Sequence, residues 1–225
     1  DRRSTGVAGS GRLCSCLGMT NSTDPGANPF DPATSSYPRD MVGYGRNPPD
    51  PQWPGGAVLA LQIVVNYEEG GENSVLHGDA GSETFLTEHI VSARPGLRNP
   101  TAESLWEYGS RVGFWRLWRL LSGRGLPVTC FGVTMALGRN PDAVAAMREA
   151  GWEIATHGMR WNVAAPADEA DERAEIEATL ALHEALCGGP ALGWYNRSSP
   201  TTYRLLSERG GMLYFADNYA DELPF

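Results

Sequence analysis

Apolar residues in this chain run continuously in some stretches and recur every three to four positions in others, the patterns of buried strands and amphipathic helices. Residues 57–66 (AVLALQIVVN) are β-branched and apolar on both faces, which predicts a buried parallel strand. Asn99-Pro100 opens a long helical pattern through Leu121: Asn caps, Pro takes the first helical position and Gly123 stops it. Residues 127–134 (PVTCFGVT) predict the second strand. Asn140-Pro141 opens a helix that Gly151 ends, and residues 152–157 (WEIATH) predict the third strand. A helix follows over residues 168–187, its early carboxylates suited to the positive end of the helix dipole and its end marked by Gly188-Gly189. A short strand over 192–195, a helix from Ser199-Pro200 to Gly210 and a fifth strand over 212–216 complete the pattern.

Strands alternating with helices predict a parallel α/β architecture. No G-x-G-x-x-G follows the first strand, so the order of units favours a (β/α) barrel over a dinucleotide-binding sheet. A closed barrel takes about seven or eight units. Five are present, and the barrel is expected to be incomplete at the C-terminus. Residues 67–98 are polar and Gly-rich and are read as an active-site loop leaving the first strand. Residues 1–36 have almost no large apolar side chains and bury too little to offset their ordering entropy, which predicts a flexible leader ahead of a domain over 37–225. The Pro/Gly-dense stretch 38–56 carries Tyr44 and Trp53 and is expected to wrap over that domain.

Composition narrows the partners. The 225 residues are 41% hydrophobic and 20% charged, the balance of an ordinary globular protein. The net charge of -9, without a dense Lys/Arg cluster, argues against nucleic acid and against an anionic membrane surface. No run approaches the roughly 20 apolar residues of a membrane span. A small-molecule substrate fits better. Of four cysteines, Cys14 and Cys16 lie in the leader and Cys130 and Cys187 inside predicted elements, so reduced thiols in a cytoplasmic setting are expected.

In parallel α/β folds chemistry gathers at the carboxyl ends of the strands. Those ends carry Asn66-Tyr67-Glu68-Glu69-Gly70, then His157, then Arg197, then Asp217-Asn218-Tyr219. Adjacent carboxylates disfavour double ionisation, so Glu68 and Glu69 can divide roles between base and neutral acid. Arg197 offers a planar five-donor fork for a carbonyl or an oxyanion. Without context, the Glu pair reads as an acidic turn, His157 as a satisfied structural histidine and Arg197 as a surface residue. His77 and His89 are expected to face solvent, and His183, mid-helix, to lie on the surface or in a groove.

These residues resemble a known family. Tyr67-Glu68-Glu69-Gly70 resembles the first motif of the polysaccharide deacetylases (NodB homology, carbohydrate esterase family four), a hydrophobic strand ending Phe-Asp-Asp-Gly. There the first Asp is the base and the second a metal ligand. Thr156-His157-Gly158-Met159-Arg160-Trp161 resembles the second motif, His-Ser-x-x-His, with Trp161 at the second histidine. Arg197-Ser198-Ser199-Pro200 resembles the third motif, and Asp217-Asn218-Tyr219-Ala220-Asp221 the fourth. An indole cannot replace an imidazole ligand, and a zinc-like site wants three protein ligands. These departures, together with VVNYEEGGENSVLHGD, EYGSRVGFWRL, GWEIATHG and SSPTTYRLLSERGGMLY, look like the metal-independent, allantoinase-type branch.

The resemblance implies a distorted barrel of the NodB type that opens the hydantoin ring of allantoin, or of a related ureide, with no metal or other cofactor. It implies Glu68 as base, Glu69 as its partner, His157 as acid or oxyanion donor and Arg197 as electrostatic stabiliser. Tyr67, Trp161, Asp217 and Tyr219 would contact substrate, and a homo-oligomer is expected. Two alternatives stand beside this reading: a metal-dependent N-acetyl sugar deacetylase with an altered site, and a non-catalytic barrel serving as a scaffold.

Overall fold

Five short parallel strands pair in the order in which they occur along the chain: β1 (Val64–Tyr67), β2 (Thr129–Gly132), β3 (Glu153–Thr156), β4 (Gly193–Trp194) and β5 (Tyr214–Phe215). A sequential order has no switch point, which separates this sheet from a dinucleotide-binding one and matches the start of a barrel. The computed structural model describes residues 39–85, 87, 92, 94–161 and 168–223. The leader, with Cys14 and Cys16, and His89 lie outside them. Two units are distinguished, Asp1–Pro49 and Asp50–Phe225. In the first, Asp40 caps a turn by accepting the N–H groups of Val42 (2.8 Å) and Gly43 (3.0 Å). The second holds the sheet and its helices.

The register is level: Val64 pairs with Thr129 and Thr129 with Glu153, while Tyr67 pairs with Gly132 and Gly132 with Thr156. Side chains then alternate between two faces with period two. Val65, Tyr67 and Cys130 enter the helix layer, where they pack with Phe114, Leu137, Met147 and Trp152. Asn66, Glu68, Phe131, His157 and Tyr195 share contacts on the opposite face.

The predicted helix starts hold. Asn99 accepts the Ala102 N–H ahead of α1 (Pro100–Tyr108), and Asn140 accepts that of Ala143 ahead of α4 (Pro141–Glu149). Asp168 caps α5 (Glu169–Cys187) and Ser199 caps α6 (Pro200–Arg209). The long predicted helix is divided, however, by a π-helical turn (Gly109–Gly113) from α2 (Phe114–Ser122). A six-residue helix, α3 (Thr134–Arg139), follows closely on β2 and takes in Thr134, the last residue of the predicted strand.

Two expectations are corrected. The first strand was expected over 57–66, yet Val58, Leu59 and Leu61 stand 98%, 72% and 79% exposed. β-branched residues form a strand only where a neighbour pairs with them, and the β1–β2 pairing begins at Val64 with Thr129. His183 was expected on the surface or in a groove but is buried on the inner side of α5, and burial pushes its pKa down. Cys130 and Cys187 are free thiols, both made harder to ionise by burial. Among the described residues no helix is long and apolar enough to cross a membrane.

At the amino end of the sheet, Glu153 on β3 accepts hydrogen bonds from Thr129 on β2 (2.8 Å) and from the Tyr214 hydroxyl on β5 (2.8 Å). Tyr214 reaches past β4 because Gly193 has no side chain; a Cβ there would lie 2.1 Å from the Tyr214 ring. Gly193→Ala should therefore cost about 2 kcal/mol by overpacking, and Tyr214→Phe about 1 kcal/mol by stranding a carboxylate oxygen. Urea unfolding of the chain measures both. A Gly193→Ala variant as stable as the parent would show that this crossing does not hold β4 and β5 in place.

Candidate active site

Because Tyr67 and Thr156 stand level across β2, the residues that follow them, Glu68 and His157, leave their strands side by side. The Glu68 Oε1 atom lies 3.1 Å from His157 Nε2 and also accepts the Asn66 amide at 3.0 Å. The imidazole is almost enclosed (5% exposed) while the carboxylate keeps 23% of its surface. Burial pushes the Glu68 carboxyl up, but the His157 hydrogen bond and charge, the Asn66 amide and nearby Arg197 together hold it below its ordinary value. With a carboxylate as acceptor, the network assigns the proton to Nε2. Among the described residues, the buried Nδ1 has no hydrogen-bond partner. The ring packs edge-on against Tyr195, 4.7 Å between centroids.

Glu69 leaves in another direction. Its carboxyl packs on Gly109, the first residue of the π-helical turn, where a Cβ would lie 2.1 Å from Oε1. Burial pushes the Glu69 pKa up, and the charges of Glu68 and Glu72 push it the same way. The two neighbouring carboxyls are thus drawn apart, Glu68 toward the ionised form and Glu69 toward the protonated one.

Arg197 comes from the loop after β4. Its guanidinium lies over the Phe85 ring, 5.3 Å from the centroid, and Phe85 in turn packs on Trp161 at 6.0 Å. The close approach of this loop needs Gly158 at φ +71°, where a Cβ would sit 2.0 Å from the Asn196 amide nitrogen.

The remaining candidates fall in different places. Tyr67, expected to touch substrate, is 1% exposed and faces the helix layer; its hydroxyl meets Ser110 Oγ at 2.9 Å and the Asn140 amide at 2.8 Å. Strand alternation is the reason, since Tyr67 must face away from Asn66 and Glu68. Trp161 is buried and serves as the floor beneath Phe85. Asp217 binds backbone N–H groups of the Arg197 loop. Tyr219 is 76% exposed, and its hydrogen bond to Tyr195 raises its pKa to about 12.

One structural residue escaped the sequence reading. Arg160 forks onto Asp79 (2.9 and 2.7 Å) and donates to the Glu72 carbonyl (2.8 Å), pinning the loop after β1 to the end of β3. Arg160 and Asp79 are 81 positions apart, so no local signal connects them. Asn66 was more accessible: it sits two residues before Glu68 on one strand face. A cavity of about 250 Å³ lies nearby, but Glu172, Glu175, Ile176 and Thr179 line it together with Arg197 and Asn196, whereas Glu68 and His157 do not. The carboxylate–imidazole pair, with its ionised carboxylate, is the better candidate for chemistry.

A metal-binding version of these motifs would need three donors. The Trp161 indole, packed against Gly71 and Phe85, offers no lone pair to an ion, and Glu69 is turned onto Gly109. Among the described residues no three His, Cys, Asp or Glu side chains form a metal-holding group. The residues present do not fit such an ion.

The polysaccharide deacetylase family profile matches residues 97–200. A Pseudomonas aeruginosa PAO1 protein named as a polysaccharide deacetylase is 49% identical, with a TM-score of 0.79 over 84% of this chain and 64% of its own. A PuuE allantoinase structure is also 49% identical, with a TM-score of 0.79 over 84% of this chain and 63% of its own. A Schizosaccharomyces pombe protein named as a polysaccharide deacetylase is 37% identical over 198 residues, 83% of this chain and 62% of the relative. The chain therefore spans less than two thirds of each relative's length. Likeness of that depth, on a sheet whose carboxyl ends gather Glu68, His157 and Arg197, shows that this chain carries a polysaccharide deacetylase (NodB) domain.

Proposed function

We propose that the protein to which this chain belongs hydrolyses the ring amide of allantoin, giving allantoate, with Glu68 as general base and without a metal ion. The observation that carries this reading is the Glu68–His157 pair at 3.1 Å, together with a buried indole, Trp161, at the place of the second histidine in the motif that this sequence resembles. The likeness to a PuuE allantoinase supports the choice of substrate. A hydantoin ring is dense in N–H and C=O groups, and a carboxylate, an imidazole and a guanidinium match it better than an apolar pocket would.

In this mechanism Glu68, kept ionised, takes a proton from a water molecule as its oxygen attacks the ring carbonyl. His157 holds the carboxylate in line through Nε2–H, and Arg197 stabilises the negative charge that develops on the carbonyl oxygen. The C–N bond breaks as the proton held by Glu68 passes to the leaving nitrogen. Burial pushes the Glu69 pKa up, the direction that lessens negative charge near the oxyanion. Tyr219 and the Phe85–Trp161 stack border the approach. A second reading, deacetylation of an N-acetyl sugar, draws on the equally similar P. aeruginosa neighbour.

Three outcomes test the proposal on the full-length protein. Glu68→Gln should lower kcat/KM for allantoin by about 10²-fold or more, and a variant within threefold of the parent would remove Glu68 from the mechanism. Because its folded environment depresses the Glu68 pKa, the base is lost only as pH falls below the usual Glu range, so the acid limb of the kcat/KM profile should lie there. In His157→Asn that limb should move to higher pH; an unmoved limb would contradict the assigned pairing. Turnover should be indifferent to a chelator. Chelator-sensitive release of acetate from an N-acetyl sugar, without allantoin turnover, would favour the second reading.

A further inference from the structure

We infer that Asp217 is a positioning residue: its carboxylate gathers the backbone of Asn196–Ser198, sets Arg197 in a left-handed conformation and so holds the guanidinium over Phe85. Asp217 follows directly on the last ladder bond of β5, Ala216 N–H to the Trp194 carbonyl (2.9 Å), which brings it under the chain leaving β4. Its two oxygens accept the Asn196 N–H (3.0 and 3.0 Å), the Arg197 N–H (3.0 Å), the Ser198 N–H (3.3 Å) and the Ser198 hydroxyl (2.6 Å). Ser198 Oγ is fixed from its other side by the Trp194 indole N–H at 2.9 Å.

Successive N–H groups converging on one point form an anion-binding nest, and a left-handed residue is what curls the backbone into one. Arg197 has φ +48°, a region that a residue with a Cβ enters only under constraint. The nest would attract an anion from solution, but the chain supplies its own. A carboxylate offers about four lone-pair directions, and the donors of this loop take them all. Asp217 thus has no acceptor left for substrate. Its effect reaches the site through Arg197, whose side chain leaves the loop toward Phe85 and whose charge is felt by Glu68.

The catalytic consequence rests on the proposed role of Arg197; the positioning itself does not, and the two are tested separately. In the NMR spectrum of the full-length protein, the Arg197 Nε–H resonance should carry the ring-current shift of Phe85. It is assigned by its disappearance in Arg197→Lys. Asp217→Asn, which cannot accept from all these donors, should move it to the position of a free arginine, as Phe85→Leu should. Ser198→Ala, which removes one donor and threatens the fold less, should move it part of the way. An unshifted resonance in Asp217→Asn or in Ser198→Ala, with the thermal transition retained, overturns the positioning role.

Kinetics provide the second arm. Asp217→Asn should lower kcat by about 10²-fold, the scale of a misplaced catalytic group, yet add less than about twofold in an Arg197→Ala background, because coupled residues are not additive. Equal losses in both backgrounds would mean that Asp217 acts on the fold and not through Arg197. Absence of allantoin turnover in the parent would sink the functional reading and leave the NMR arm to decide the positioning.

Discussion

The hydrogen bond between Glu68 and His157 depends on register. The two residues come from strands that are not neighbours, and they meet because Tyr67, Gly132 and Thr156 stand level across β1, β2 and β3. A slip of one residue in β1 would exchange the faces of Tyr67 and Glu68, burying a carboxylate among the helices and opening the core at Phe114. The core and the site therefore specify the same register from opposite sides of the sheet. Tyr67 anchors one side through Ser110 and Asn140, and Glu68 the other through Asn66 and His157.

Around that pair, the loops are held by charge as well as by packing. The fork of Arg160 closes the loop after β1 onto β3, and Asp217 closes the loop after β4 onto β5. Both are ionic groups spent on backbone or on a partner loop, and both stand next in sequence or in space to residues assigned to chemistry. Irregular segments carry few ladder hydrogen bonds of their own, so placing Phe85 and Arg197 over the site needs such external clamps. Glu69 shows the cost of the arrangement: its carboxyl is accepted into a π-helical turn whose Gly109 leaves room for it, and burial there raises its pKa.

Taken by itself, the amino-acid sequence determined the alternation of strands and helices, the three Asn-Pro or Ser-Pro capped helix starts and the gathering of Glu68, His157 and Arg197 at strand ends. Each of these rests on local chemistry: a period of two or of 3.6, an oxygen three residues before an unpaired N–H, or a residue's place after an apolar run. Pairing was not local. Residues 57–62 have strand composition but pair with no strand among the described residues, and α3 follows β2 without a side-chain cap. The burial of His183, the turning of Glu69 onto Gly109, the Arg160–Asp79 fork and the nest around Asp217 join positions 19 to 81 residues apart or depend on packing between layers. No periodicity encodes such contacts. Tertiary structure alone decided them, because a side chain's surroundings are fixed by which elements pack beside it and not by its neighbours along the chain.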